Sequence, residues 1–341
     1  MHTSGVKTIW IAVLIVTVAL VAFPRFDRQD IGPIGKFTGK IDGKPSLGDA
    51  VFYMNYVDYF RGNAELEDVE LPFRYRPLIP MMASILPIES PMTAINVINV
   101  IALYLTIFVL FKLFQKLGFD FGLSLIGCFL YAVSFPVFYM STTGYLEACS
   151  MCLLATGTYL VFCRRWLFLL LTLVAGLFVK EVVVLLIPIA VVYLWINKSG
   201  WKTLLIWSIV FVGAFVFVTA MMKEMFGHYI WIPNVETLLF NLRPRALFSL
   251  GLSFGLPGVL AVIFFLRYRR LSARIGSGIL LPIFTGILFT LLLVVYSMVT
   301  AYADGRYIWP AVVFTIPLSL WVIEDWSASA GMGRAKTGIA G

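Results

Sequence analysis

About ten apolar runs of roughly fifteen to twenty residues, parted by short clusters of lysine and arginine, leave this chain one solvent that can hold it, a lipid bilayer. With 60% hydrophobic and only 13% charged residues, no soluble core could hide so much apolar surface. The fold class is therefore an all-α polytopic membrane protein. The net charge of +8 does not point to nucleic acid, because the basic residues sit between apolar runs and form no continuous patch.

The spans read as 8–23, 93–111, 121–139, 148–163, 166–178, 182–196, 203–222, 252–266, 279–300 and 309–323, about ten transmembrane helices in a single domain over 1–323. The first follows Lys7 and lacks a convincing cleavage site, so it reads as a retained anchor. A long first extracytoplasmic loop, 24–92, has room for interfacial helices, and 324–341 reads as a disordered cytoplasmic tail. Cys128, Cys149, Cys152 and Cys163 lie in or beside apolar runs and read as small packing residues rather than a metal site.

With the N-terminus in the cytoplasm, the clusters Lys112/Lys116, Arg164/Arg165, Lys198/Lys202, Arg267/Arg269/Arg270/Arg274 and Arg334/Lys336 all fall inside. The acids fall on the other side, all but Asp120, Glu324 and Asp325. Such a bias is best explained by what the outer face does. The chain's compact size favours a bacterial inner membrane, with that face toward the periplasm or exterior.

Several outer residues carry possible chemistry. The run from Ser46 to Phe60 opens on a capping signal and reads as a helix along the membrane surface, with Asp49, Tyr53, Tyr56 and Phe60 on one face. Asp49 suits proton abstraction from a hydroxyl-rich ligand, or else simply favours the helix dipole. Arg74 and Arg76 flank an aromatic at the turn back into the membrane, where they could grip phosphate or anchor at headgroups. Glu147 stands just ahead of a span. Lys180 and Glu181 interrupt some thirty apolar residues, which is costly unless they reach a polar cavity. Neighbours on a helix point about 100° apart, so these two pair poorly with each other. Near the end, Asp304 could neutralise Arg306 beside Tyr307 and Trp309.

Taken in order, the loop acid, the Arg76-Pro77-Leu78 turn, Glu147, the Gly176-x-x-x-Lys180-Glu181 step and the Asp304-x-Arg306-Tyr307-x-x-Pro310 element resemble the polytopic GT-C glycosyltransferases. These are mannosyltransferase- and aminoarabinose-transferase-like enzymes that use polyprenyl-phosphate sugars. The resemblance spans 8–320. It implies a GT-C-like fold and an inverting transfer of sugar from a lipid phosphate to an acceptor glycan, lipid or protein. In those roles Asp49 is the general base, its basicity raised by semi-burial against lipid, and Glu147 assists it or binds sugar hydroxyls. Lys180 and Arg306, then Arg76 and Arg74, hold the phosphate; Tyr53, Tyr307, Asp304 and Glu181 line the sugar pocket. No tight Asp-x-Asp pair is present in the first loop, so no metal is assigned, although a divalent cation is compatible with the acids. A transporter or flippase for a lipid-linked or anionic solute is the alternative, with the same charges lining a path.

Overall fold

The structure, a computed structural model, describes residues 2–26, 40–41, 44–45, 48–230, 232–301 and 303–329. Apart from one antiparallel pair, β1 (Lys40–Ile41) and β2 (Lys44–Pro45), its regular elements are helices. α1 (His2–Ala22) leads into the long loop, which holds α2 (Ala50–Phe60) and α3 (Leu78–Ser84). Then follow α4 (Pro91–Lys116), α5 (Phe121–Ala132), α6 (Phe135–Met140), α7 (Glu147–Phe162), α8 (Trp166–Leu177) and α9 (Leu186–Ile196). The second half comprises α10 (Trp201–Phe226), α11 (Val235–Asn241), α12 (Pro244–Leu266), α13 (Tyr268–Ser272), α14 (Ser277–Thr300), α15 (Gly305–Ile308) and α16 (Val312–Ser329).

Among the described residues six helical segments are long and apolar enough to cross a membrane: Val6–Arg25, Pro91–Lys116, Trp201–Phe226, Pro244–Leu266, Ser277–Thr300 and Gly305–Ser329. Four shorter apolar segments coincide with the other expected spans. The chain is a multi-pass, all-α membrane protein. Starts and stops follow local chemistry. Ser90 accepts from Thr93 N and Pro91 opens α4, while the Asp120 side chain accepts from Leu123 N at 2.8 Å to cap α5.

Helices pair as α4 with α7, α12 with α16 and α9 with α14, and α16 is the most enclosed of the long ones. Small residues set the close approaches, as expected where lipid gives no hydrophobic drive between helices. A Cβ on Gly286 would meet the Phe314 ring at 2.6 Å, and one on Gly127 would run into Phe114. α12 is kinked at Gly255, whose φ of 52° leaves the helical region just ahead of Pro257. The Ser319 hydroxyl on α16 lies 2.9 Å from the Pro257 carbonyl and ties the two helices at that kink.

Two sequence expectations are corrected here. The span 121–139 is not continuous but breaks at Val133 and Ser134, because Pro136 sits in the first turn of α6 and cannot continue α5. The tail does not begin at 324. α16 runs on to Ser329, held by Asp325, which is 1% exposed and lies within 3.5 Å of Arg267, Arg270 and Arg274. Residues 330–341 lie outside the described part, as does the Ser46 capping signal.

Candidate functional site

The charged residues of the loops expected on one face converge. Asp49 occupies the N-cap position of α2, yet its carboxylate makes no capping bond. Instead Oδ2 accepts from Arg306 Nη1 at 2.8 Å. Arg306, in the second position of α15, is aimed by Asp304, which accepts from its backbone N at 2.9 Å and from its Nε at 2.9 and 3.0 Å. The guanidinium also lies over the Tyr145 ring, 4.6 Å from the centroid. Nη2 makes no hydrogen bond among the described residues.

Glu147, the first residue of α7, joins this group to the next. Its Oε1 pairs with Lys180 and stands 3.8 Å from Arg306 Nη1. Its Oε2 is buried with no hydrogen-bond partner among the described residues. Lys180 can reach it because the chain is extended there, with φ −168° between α8 and a 3-10 turn over Glu181–Leu185. Gly176 makes that reversal possible: its carbonyl accepts from Val179 N and Lys180 N, and a Cβ on it would meet Val183 at 2.6 Å. Lys180 and Glu181 thus do not pair with each other. Glu181 takes Arg76 instead, in a two-pronged bridge with contacts of 2.9, 3.2 and 3.3 Å.

Four carboxylates (Asp49, Glu147, Glu181, Asp304) therefore face three cations (Arg76, Lys180, Arg306), and they are layered. Side-chain exposure is 41% for Asp49 and 48% for Glu181, against 5% for Glu147 and 11% for Arg306. The reachable acids sit at the rim and the cations with Glu147 form the floor. Burial pushes the Asp49 carboxyl up, but Arg306, with Lys180 and Arg76 farther off, outweighs it and holds the group below its ordinary value. This corrects the expectation of raised basicity: the guanidinium at 2.8 Å dominates, and Asp49 is a weak but permanently ionised base at neutral pH.

Other expected residues take supporting places. Tyr53 is 2% exposed, and its hydroxyl accepts from Arg76 Nη1 at 2.5 Å, so it braces Arg76 from a buried position. Burial pushes the Tyr53 hydroxyl up, keeping it protonated. Arg74 points elsewhere: its Nε donates to the Val69 carbonyl at 2.5 Å, which stiffens the loop, and it is not among the convergent cations. Tyr307 is partly exposed beside Arg306.

Several contributors were not singled out in the sequence. Tyr145 stacks under Arg306, and Asn99 Nδ2 holds the Tyr145 carbonyl at 2.6 Å. Asn96 Oδ1 accepts from Gly144 N at 2.8 Å. Both asparagines lie three apart in an otherwise apolar span, a readable sign of one polar helix face turned to protein. Asn241 clamps the loop before Asp304 through Met298 O, Ala301 O and Ala303 N, and Ser249 Oγ accepts from Gly305 N at 3.0 Å. No group of three or more metal-ligating side chains forms among the described residues. No family model, curated protein or solved structure matches the chain.

Proposed function

We propose that the chain is a membrane glycosyltransferase of GT-C type, moving a sugar from a polyprenyl-phosphate donor to an acceptor on the extracytoplasmic face with inversion. The observation that carries this reading is the assembly Asp49–Arg306–Glu147–Lys180, drawn from four distant stretches into one layered cluster. Isolated charges at a membrane boundary need no such convergence. All ten apolar helices cross in this reading, and the cluster faces the periplasm or exterior of a bacterial inner membrane.

In the reaction, an acceptor hydroxyl attacks the anomeric carbon as the bond from that carbon to the phosphate oxygen breaks. The acceptor's proton passes to Asp49, and the lipid phosphate leaves with the bonding electron pair. A low-pKa carboxylate serves here because the hydroxyl acidifies as its new bond forms. Lys180 and Arg306, whose Nη2 makes no hydrogen bond among the described residues, supply positive charge to the leaving phosphate, while Arg76, already held by Glu181 and Tyr53, braces the rim. Glu147 sets both cations from one oxygen and offers Oε2 to a sugar hydroxyl. The prenyl tail stays in lipid.

One observation favours the alternative of a transporter or flippase: the chain is interrupted at Lys180 and again at Gly255, and broken helices line many transport paths. A single experiment separates the two. Purified protein in liposomes is given a panel of radiolabelled polyprenyl-phosphate sugars with acceptor outside. Loss of label from the lipid fraction supports transfer; label that crosses the bilayer still joined to its lipid supports transport, and an inert panel defeats both.

A further inference from the structure

At the end of the bundle opposite Arg306, three arginines gather over one buried acid. From Arg306 the chain runs through α16 to Asp325, a rise of about 28 Å, so the two charged ends lie a hydrocarbon thickness apart. Asp325 is 1% exposed. Arg270 Nη2 lies 3.0 Å from Oδ1, Arg274 Nη1 3.2 Å from the same oxygen, and Arg267 Nη1 3.5 Å from Oδ2. Arg270 also reaches Ser329 Oγ at 3.3 Å.

Topology alone asks only for positive charge in this loop. It does not ask for three guanidiniums drawn to one carboxylate that cannot neutralise them all. Each is 42–55% exposed, and each guanidinium carries five N–H donors, more than the contacts to Asp325 and Ser329 use. Such a set of forks suits the oxygens of a phosphate. What surrounds it decides the source of that phosphate. Leu266 is 81% exposed, Tyr268 43% and Trp326 40%, and Trp326 lies under Arg267 at 5.8 Å. Apolar and interfacial aromatic surface beside the cations favours a phosphate that arrives on acyl chains.

We infer that Arg267, Arg270 and Arg274, arranged by Asp325, form a binding site for the headgroup of an anionic phospholipid. It depends on the chain being a membrane protein and not on the transferase reading, so the two fail separately.

The test is native mass spectrometry of the full chain in detergent with equal amounts of phosphatidylglycerol and phosphatidylcholine. Phosphatidylglycerol is expected to stay bound preferentially. Arg270→Gln with Arg274→Gln should weaken that retention by about tenfold or more, while Arg165→Gln with Lys202→Gln, which removes the same charge elsewhere, should not. If the double variant does not fold, Arg274→Lys keeps the charge and the Asp325 pair but loses the fork, and its retention should fall too. Equal retention of both lipids, equal loss in the control pair, or undiminished retention in Arg274→Lys would overturn the site. Complete displacement by inorganic phosphate at matched concentration would overturn the lipid assignment.

Discussion

Arg306 Nη1 stands 2.8 Å from Asp49 Oδ2, a contact between residues 257 positions apart that closes the turn between α14 and α16 onto the long loop after α1. Asp49→Asn keeps the shape and can still accept from Arg306, so the fold and donor binding should survive. Turnover should fall by the roughly 10²- to 10⁴-fold that a general base contributes. Single-turnover rates with bound lipid-linked donor check this, and near-normal rates would remove Asp49 from the chemistry.

The same contact fixes a pH dependence. The folded value of Asp49 lies below its ordinary 3.8, so the contribution of the ion pair to stability is present above pH 3.8 and is lost as pH falls through the depressed folded value. The acidic limb of kcat/KM should therefore lie below pH 3.8. Arg306→Gln leaves burial unopposed by its nearest cation, so the limb should move toward neutral pH. A wild-type limb near pH 6 would contradict the pairing.

Glu147 serves both Lys180 and Arg306 from a site only 5% exposed. Removing its charge leaves Lys180, 17% exposed, without its partner, and breaking a buried pair in this one-sided way costs about 3–5 kcal/mol. Glu147→Gln should lower the melting temperature clearly. Glu147→Gln combined with Lys180→Met should recover much of the loss, because no uncompensated charge remains. Additive losses in this cycle would mean that the two side chains do not interact.

Much of this was legible in the sequence because hydrophobicity and charge placement are local signals. Eight of the ten apolar runs appear as helical segments near their expected bounds, while 121–139 breaks in two and the helix over 252–266 starts back at Pro244; the acids and bases chosen for their cost in an apolar setting do converge. The pairing was not legible. Glu181 to Arg76 and Lys180 to Glu147 depend on the extended backbone at Lys180, which nothing in a Val-Lys-Glu-Val run announces. Nor could sequence show that Asp49 would be acidified, since the sign depends on whether lipid or a guanidinium is nearer.

The orientation is tested by cysteine labelling at positions that are not buried. Thr142, in the turn before α7, is unsuitable: it is 1% exposed and donates to the Ala22 carbonyl at 3.0 Å. Glu67, exposed in the first loop, and Ser199, at the turn between α9 and α10, are better. In intact cells an impermeant maleimide should label Glu67→Cys, and should reach Ser199→Cys only after permeabilisation. The reverse pattern would invert the topology and place the Asp49 cluster in the cytoplasm.

Gly176 offers the sharpest test of how the fold delivers Lys180. A methyl there would sit 2.6 and 2.7 Å from the two Val183 methyls, closer than atoms tolerate, and would push the 3-10 turn away from α8. Overpacking of this kind costs about 1–3 kcal/mol, and here it should also displace Lys180 from Glu147. Gly176→Ala should thus lower both melting temperature and donor affinity. Val183→Ala removes the two closest contacts and leaves only the Val183 Cβ, at 2.9 Å, so Gly176→Ala with Val183→Ala should regain part of the donor affinity even if some packing energy stays lost. Affinity unchanged by Gly176→Ala, or lost equally in the double variant, would show that the close approach of α8 to Val183 does not set the position of Lys180.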